Sequence, residues 1–447
     1  MENFISDVSQ LASQSYQIDK DLFDQYNVKR GLRNADGSGV LVGLTNIGDV
    51  VGYRREDGNI IPTKGDLRYR GYPIRDLVKG FQNEKRHGFE ETIFLLLTGQ
   101  LPTQNQLKQI SDHMASKRDL DETFTNMILS LRGRDLMNML SRSVLILYTL
   151  DDTAEDYSLP SLVKQSLNLI AKLPIIVAYS YQGMRHAFYR KSLVIRHPQH
   201  NLSAAENFLY MLKGKNYTPL EAEILDLMLI LHAEHGGGNN STFTMRLVSS
   251  AMTDTYSATA AAIGSLKGRL HGGANLQVLE MMNNIKKHVK NWDDKEEIKA
   301  YLLKILRKEA YDRSGKIYGI GHAVYTLSDP RAELLKTKAI ELAKEKGKEK
   351  ELQLYLNIEE LAPKTLAEFK NGSVKPVCAN VDFFSGFVYE AIEIPHELFT
   401  PMFAISRMAG WAAHRLEEIT FTSRRIIRPA YKNVLPNEMK YVPLQDR

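Results

Sequence analysis

Apolar residues recur at three- and four-residue spacing over most of this chain, a pattern that predicts helices almost throughout. Phe89–Leu97, Gln104–Ala115 and Leu136–Leu150 carry it, and Leu159–Pro160 opens a long segment ending near Tyr189. Residues 1–34 read as an amphipathic helical arm, with Ile5, Val8, Leu11 and Leu22 on its apolar side. Thr218-Pro219-Leu220-Glu221 reads as a helix start, with Thr218 as cap, Pro219 in the first turn and Glu221 completing a capping box. That helix runs through ILDLMLILHA and delivers His232 and His235 at its end. Pro395–Glu418 reads as a helix pair restarting at Thr400–Pro401, and the Lys/Glu-rich run Lys336–Glu351 as a solvated helix face. The exception is Asn34–Asp66, rich in Gly, Val and two Asp-Gly pairs, which predicts turns between short strands. The expected fold class is therefore all-α, with a small β element near residues 38–66.

Between His235 and His271 lies an Ala- and Ser-rich stretch, roughly 30 residues long, which predicts one long helix with a histidine–glycine junction at each end. Glycines beside a polar residue let backbone and ligand approach closely, and free N–H groups at a helix start favour anions. Composition adds bounds. The 447 residues suffice for two or three domains. The net charge of +5 is small and interspersed, so nothing marks a nucleic-acid binder. Cys378 is the single cysteine, which excludes an intrachain disulfide and suits a reducing, cytoplasmic setting. The first residues lack the basic and apolar regions of a secretory signal, and no apolar run reaches the roughly 20 residues of a membrane span.

Two further segments carry candidate chemistry. In YGIGHAVYTLSDPR, His322 follows Gly319 and Gly321 and is expected on a turn. Asp329–Pro330 reads as a helix start, with Arg331 in its first turn as either a ligand-binding cation or a surface charge. In NVDFFSG, Asp382 is expected in a short loop beside Phe383 and Phe384. It is either a turn residue bonding its own backbone or a partly desolvated base of raised pKa. Together, three His–Gly turns, one such Asp and several Arg suggest proton abstraction from a carbon acid, with histidines polarising carbonyls and arginines holding carboxylates. A zinc site on His232 and His235 is the competing reading, but HExxH is absent and no cysteine is near. No G-x-S-x-G elbow supports a serine hydrolase.

The ordered set HAEHGGGN, LHGGAN, GIGHAVY…DPR, NVDFFSG and ISRMAGW resembles the citrate synthase family, over about Leu67 to Arg428. The resemblance implies a mostly helical homodimer in which residues 67–272 and 387–447 form a large domain and 273–386 a small one, behind an N-terminal segment, 1–66. It implies condensation of acetyl-CoA with oxaloacetate, then hydrolysis to citrate and CoA. The CoA thioester is a co-substrate, with no tightly bound cofactor, no metal, no nucleic acid and no membrane. Asp382 matches the base, His271 the donor to the thioester carbonyl and His322 the donor to the oxaloacetate carbonyl. The dipole of a helix starting near Ala274 is expected to keep His271 neutral. His235, Asn239, Arg331 and Arg407 match oxaloacetate ligands, and Arg428 an arginine supplied by the partner subunit. Arg269, Leu276, Ala323 and Thr326 depart from the family pattern, which leaves the CoA phosphate contacts open, with Lys375 as candidate. Two other readings stand beside this one: 2-methylcitrate synthesis from propionyl-CoA, and a catalytically silent helical binding module.

Overall fold

The computed structural model describes residues 2–34, 36–57, 59–372, 375–435 and 440–447. Helices α1 (Glu2–Ser15) and α2 (Asp21–Gln25) form the N-terminal arm. A three-stranded antiparallel sheet follows, in the order β1 (Gly48–Glu56), β2 (Asn59–Tyr69), β3 (Tyr72–Pro73). The strands start later than the sequence pattern suggested, because residues 40–47 run without regular structure toward the far end of the chain, where Asn46 N–H donates to Glu417 at 2.7 Å. Of the two Asp-Gly turns, Asp36–Gly37 is a turn, and Gly58 lies outside the described residues. The β1–β2 ladder pairs Val51 with Asp66 and then Tyr53 with Pro62, so its register slips at Gly52.

Helix α3 (Ile74–Asn83) buries Ile74, Leu77, Val78 and Phe81, an i, i+3, i+4, i+7 stripe. Helices α4 (Phe89–Thr98), α5 (Gln104–Ser116), α6 (Glu122–Ser130) and α7 (Leu136–Thr149) lie within a residue or so of the periodic windows where these were read. Helix α8 (Leu159–Tyr189) is long and apolar enough to cross a membrane by length and composition, contrary to the sequence expectation, yet two-thirds (67%) of its apolar window is buried in the protein core. Helices α9 (Ala204–Lys213) and α10 (Pro219–His232) follow. Thr218 caps α10 by accepting from Glu221 N at 3.2 Å. The reciprocal half of the expected capping box is absent, because the Glu221 carboxylate turns instead to Lys213 at 2.7 Å and Lys346 at 2.5 Å.

The long helix expected between His235 and His271 is two helices, α11 (Asn240–Ser250) and α12 (Thr255–Lys267). Met252 adopts φ +63°, which no helix continues through, and Asp254 caps the restart by accepting from Ser257 N at 2.8 Å. Helices α13 (Ala274–His288), α14 (Lys295–Leu306), α15 (Pro330–Lys346), α16 (Glu349–Phe369) and α17 (Val381–Ala391) pack largely on one another. The charged run 336–351 is not one solvated face. Gly347 ends α15 in the left-handed region, and Lys336 and Lys338 pair with Glu359 and Glu223 on neighbouring helices. Helix α18 (Phe399–Thr420) is a single helix led in by a short 3-10 turn at His396–Leu398, so Pro401 sits in its first turn and restarts nothing. Helices α10 and α18 are buried on nearly every side and cross at the centre of the core.

Candidate active site

The crossing of α10 and α18 places the first group. Arg407, fully buried on α18, donates from Nε to His232 O at 2.6 Å, at the C-terminal end of α10. Its Nη1 and Nη2 are buried and find no acceptor among the described residues. Two unpaired guanidinium nitrogens side by side have the fork geometry that a carboxylate completes. Burial lowers the Arg407 pKa to about 10, which leaves it a cation at neutral pH. Three residues past α10, His235 is buried with Nε2 unpartnered, and burial, then Arg331, push it well below the usual histidine range. The turn is held from inside. Glu234, fully buried, accepts from Gly236 N and from His414 Nε2 at 3.0 Å, and Tyr69 Oη donates to Ile230 O at 2.9 Å.

The second group is the loop before α15. His322 stacks on Tyr325 at 4.7 Å between ring centroids and meets His235 edge-on at 5.1 Å. Gly321 precedes it at φ +103°, a conformation that requires glycine. His322 Nδ1 accepts from Val324 N at 3.0 Å and Tyr325 N at 3.1 Å. Those two donors put the proton of the neutral ring on Nε2, and burial, then Arg331, lower its pKa to about 4. Arg331 is buried, not a surface charge. Its Nε and Nη2 are clamped by the Asp329 carboxylate at 3.0 and 2.7 Å, leaving Nη1 as the nitrogen outside the clamp.

The same loop is tied to the start of α17. Gly321 N donates to Cys378 O at 2.8 Å, Asn380 N to Gly319 O at 2.9 Å, and Val381 N to Asp329 Oδ2 at 3.3 Å. Asp382 therefore stands in the first turn of α17 and not in a loop, under an N-cap from the Asn380 side chain. No protein donor reaches its carboxylate among the described residues. Burial, seconded by Asp329, raises its pKa to about 6 against the opposing pull of Arg331 and Arg407. The carboxyl is thus desolvated, as the flanking aromatics suggested, and its raised pKa makes Asp382 a candidate base.

His271 comes from the turn between α12 and α13. Its Nε2 lies 3.3 Å from Ser241 N and 3.0 Å from Ser241 Oγ, at the start of α11. The N–H of Ser241 points at the ring, so Nε2 accepts and the neutral ring carries its proton on Nδ1. The helix start that addresses His271 is thus that of α11, not the α13 start expected from the sequence. Burial, then Arg407, lower its pKa to about 4. Ser241 Oγ is fixed by Asn239 Oδ1 at 2.9 Å and by Trp411 Nε1 on α18 at 3.3 Å.

The structure therefore gathers His235, His271, His322, Arg331, Asp382 and Arg407 within one electrostatic neighbourhood, with Asn239 at its edge. The other two lie at the surface. Arg428 is exposed in the extended segment after α18, and Lys375 is exposed with Nζ on Asp36 O at 2.7 Å. Sequence reading missed Ser241, Glu234, His414 and Asp329 as supports. Asp329, two residues before Arg331 and already recognised as a cap, carried a readable signal; the others act across separations of 30 to 180 residues.

The family model described as citrate synthase, C-terminal domain, matches residues 36–430. The chain is 33% identical over 425 residues to a citrate synthase of Haloferax volcanii, covering 94% of this chain and 99% of that one. It is 34% identical over 396 residues to 2-methylcitrate synthase 1 of Corynebacterium glutamicum, covering 87% and 94%. Among solved structures, the ternary complex of citrate synthase from Thermoplasma acidophilum with carboxymethyl coenzyme A and oxaloacetate superposes with a TM-score of 0.76 at 26% identity, covering 94% of this chain and 99% of that one.

Proposed function

This chain belongs to the citrate synthase family, and from that premise we propose that it condenses acetyl-CoA with oxaloacetate and hydrolyses the citryl thioester to citrate and CoA. The observation that carries the reading is the pair of histidine tautomers. Backbone donors occupy Nε2 of His271 and Nδ1 of His322, so each ring offers one N–H outward, from Nδ1 and Nε2 respectively. Asp382, a base of raised pKa, removes a methyl proton from the thioester. His271 donates from Nδ1 to the carbonyl oxygen as it becomes an enol oxygen. A preorganised donor of this kind supplies ~3–4 kcal/mol. His322 donates from Nε2 to the ketone of oxaloacetate as the new C–C bond forms. Arg407 takes one carboxylate on its free fork, while His235 and Nη1 of Arg331 hold the remaining oxygens. Two proposals from the sequence complete the picture: Arg428 enters from a second copy of the chain, and residues 273–386 close as a unit over the substrates, excluding water until condensation is done.

The likeness to a 2-methylcitrate synthase supports a second reading, in which propionyl-CoA is the acyl donor to the same residues. One methylene separates the two substrates by only ~1–3 kcal/mol, so the same machinery serves either. Thiol release with oxaloacetate decides between them: the expected result is a higher kcat/KM for acetyl-CoA. Comparable or better use of propionyl-CoA would move the assignment to 2-methylcitrate synthesis. No release with either would favour a silent binding fold.

A further inference from the structure

We infer that Gly52 and Gly65 of the β1–β2 hairpin are positioning residues for His322, setting its tautomer and its aim through the backbone of the 322–328 loop. This rests on the role proposed above for His322. Both glycines are buried, and both stand where the hairpin register slips between Val51–Asp66 and Tyr53–Pro62. This part of the hairpin packs directly against the loop. A Cβ on Gly52 would lie 2.4 Å from Val324 O, 2.8 Å from Val324 C and 3.1 Å from Tyr325 Cα. A Cβ on Gly65 would lie 2.1 Å from Ser328 O and 2.8 Å from Tyr325 Cδ1. These neighbours are backbone or buried ring, so they cannot swing away as the end of a flexible chain does. Polar bonds join the same surfaces: Gly65 N donates to Ser328 Oγ at 3.2 Å, and Tyr325 Oη lies 3.5 Å from Asp66 O.

The residues pressed by the hairpin are the ones that hold the histidine. Val324 N and Tyr325 N are the two donors to His322 Nδ1, and the Tyr325 ring is the surface on which the imidazole stacks. Displacing the 324–325 backbone far enough to clear such a Cβ weakens both donors at once. The ring then loses its preference for the Nε2–H tautomer and its alignment to the ketone. A methyl group on the N-terminal sheet would thus act on a catalytic histidine about 270 residues away in sequence, without touching substrate.

The test is the carbonyl stretch of bound oxaloacetate, labelled at the keto carbon and read by infrared difference spectroscopy, alongside kcat, KM and Tm. In the wild-type protein the band is expected below its frequency in water, as a polarised ketone. Gly52→Ala should return it toward the free value and lower kcat by ~10²-fold, with KM for the acyl-CoA changed less than threefold. Ile61→Ala, in the same hairpin, is the control and should lower Tm without moving the band. A folded Gly52→Ala protein with the wild-type band and kcat would overturn the inference. If that variant does not fold, Ser328→Ala adds no bulk and carries the test: it should move the band part of the way and lower kcat severalfold, and an unmoved band would overturn the inference equally. A wild-type protein that neither shifts the band nor releases thiol would instead overturn the proposed function.

Discussion

If Asp382 is the base proposed above, its ionisation bears on both rate and stability. A base works only when ionised, so kcat/KM for the acyl-CoA should fall as pH drops through about 6, its raised pKa. A pH–rate profile showing no limb until ~4, the range of an ordinary aspartate, would remove the base assignment. Asp382→Asn should cut kcat by ~10²–10⁴ while oxaloacetate still binds in calorimetry. The same substitution should raise stability at neutral pH. A carboxyl whose pKa is higher folded than unfolded favours the native state when protonated. That contribution is lost as pH rises from the unfolded value through about 6. The asparagine variant should therefore gain on the order of 1–3 kcal/mol at pH 7.5 in urea unfolding, and the gain should shrink below pH 6. Asp382, the three histidines and Arg331 stood out in the sequence because each sits in a short motif of glycines, aromatics or a helix start, whereas Arg407, in the middle of α18, was singled out only by the family resemblance. Their supports did not stand out. Glu234 looks like any helix-end glutamate until the fold buries it against His414, which lies 180 residues later.

At the scale of elements, the site depends on how closely α18 crosses the end of α10. Gly410 permits that approach: its N–H donates to Ala233 O at 3.1 Å, and a Cβ there would lie 2.3 Å from that oxygen and 2.5 Å from Glu234 Oε2. Gly410→Ala should destabilise the protein by ~1–3 kcal/mol and raise the oxaloacetate KM, because the helices it pushes apart carry Arg407 and lead into His235. A lowered urea midpoint with an unchanged KM would show that packing and site are independent here. Periodicity placed α4, α5, α7 and α8 well, although α4 and much of α8 are buried nearly all round and not along one stripe. It failed between α11 and α12, where small and mostly hydroxyl-bearing residues continue across the break. Only Asp254, a cap with a polar first turn after it, marks the second helix start, and small residues favour close packing whether or not the axis is continuous. The expected restart at Thr400–Pro401 failed for the opposite reason: a proline in the first turn of a helix costs nothing and signals a beginning, not an interruption.

At the scale of the molecule, a single chain leaves both its ends uncovered. Phe4, Ile5, Val8 and Leu11 of α1 are exposed, as are Ile426, Tyr431 and Tyr441 beyond α18, and Leu145 and Leu247 on α7 and α11. In the dimer proposed above, this apolar surface would be available for a second copy of the chain to cover. Arg428 lies in this uncovered C-terminal segment, while the fork of Arg407 waits inside. If Arg428 completes the partner's site, Arg428→Ala should raise the oxaloacetate KM at least tenfold with an unchanged Tm, a loss within the cost of truncating one charged partner. Mixing decides where it acts. Assayed with oxaloacetate well below the wild-type KM, the Arg428→Ala homodimer should keep about a tenth of wild-type activity or less, and the His271→Ala homodimer almost none. After subunit exchange, half the molecules are heterodimers. In each of these, one site combines an intact His271 with the other chain's intact Arg428. Equal mixing should therefore restore roughly a quarter of wild-type activity. An arginine that served its own chain's site would leave every site in the mixture with one defect, and activity would not return although native mass spectrometry showed the heterodimer.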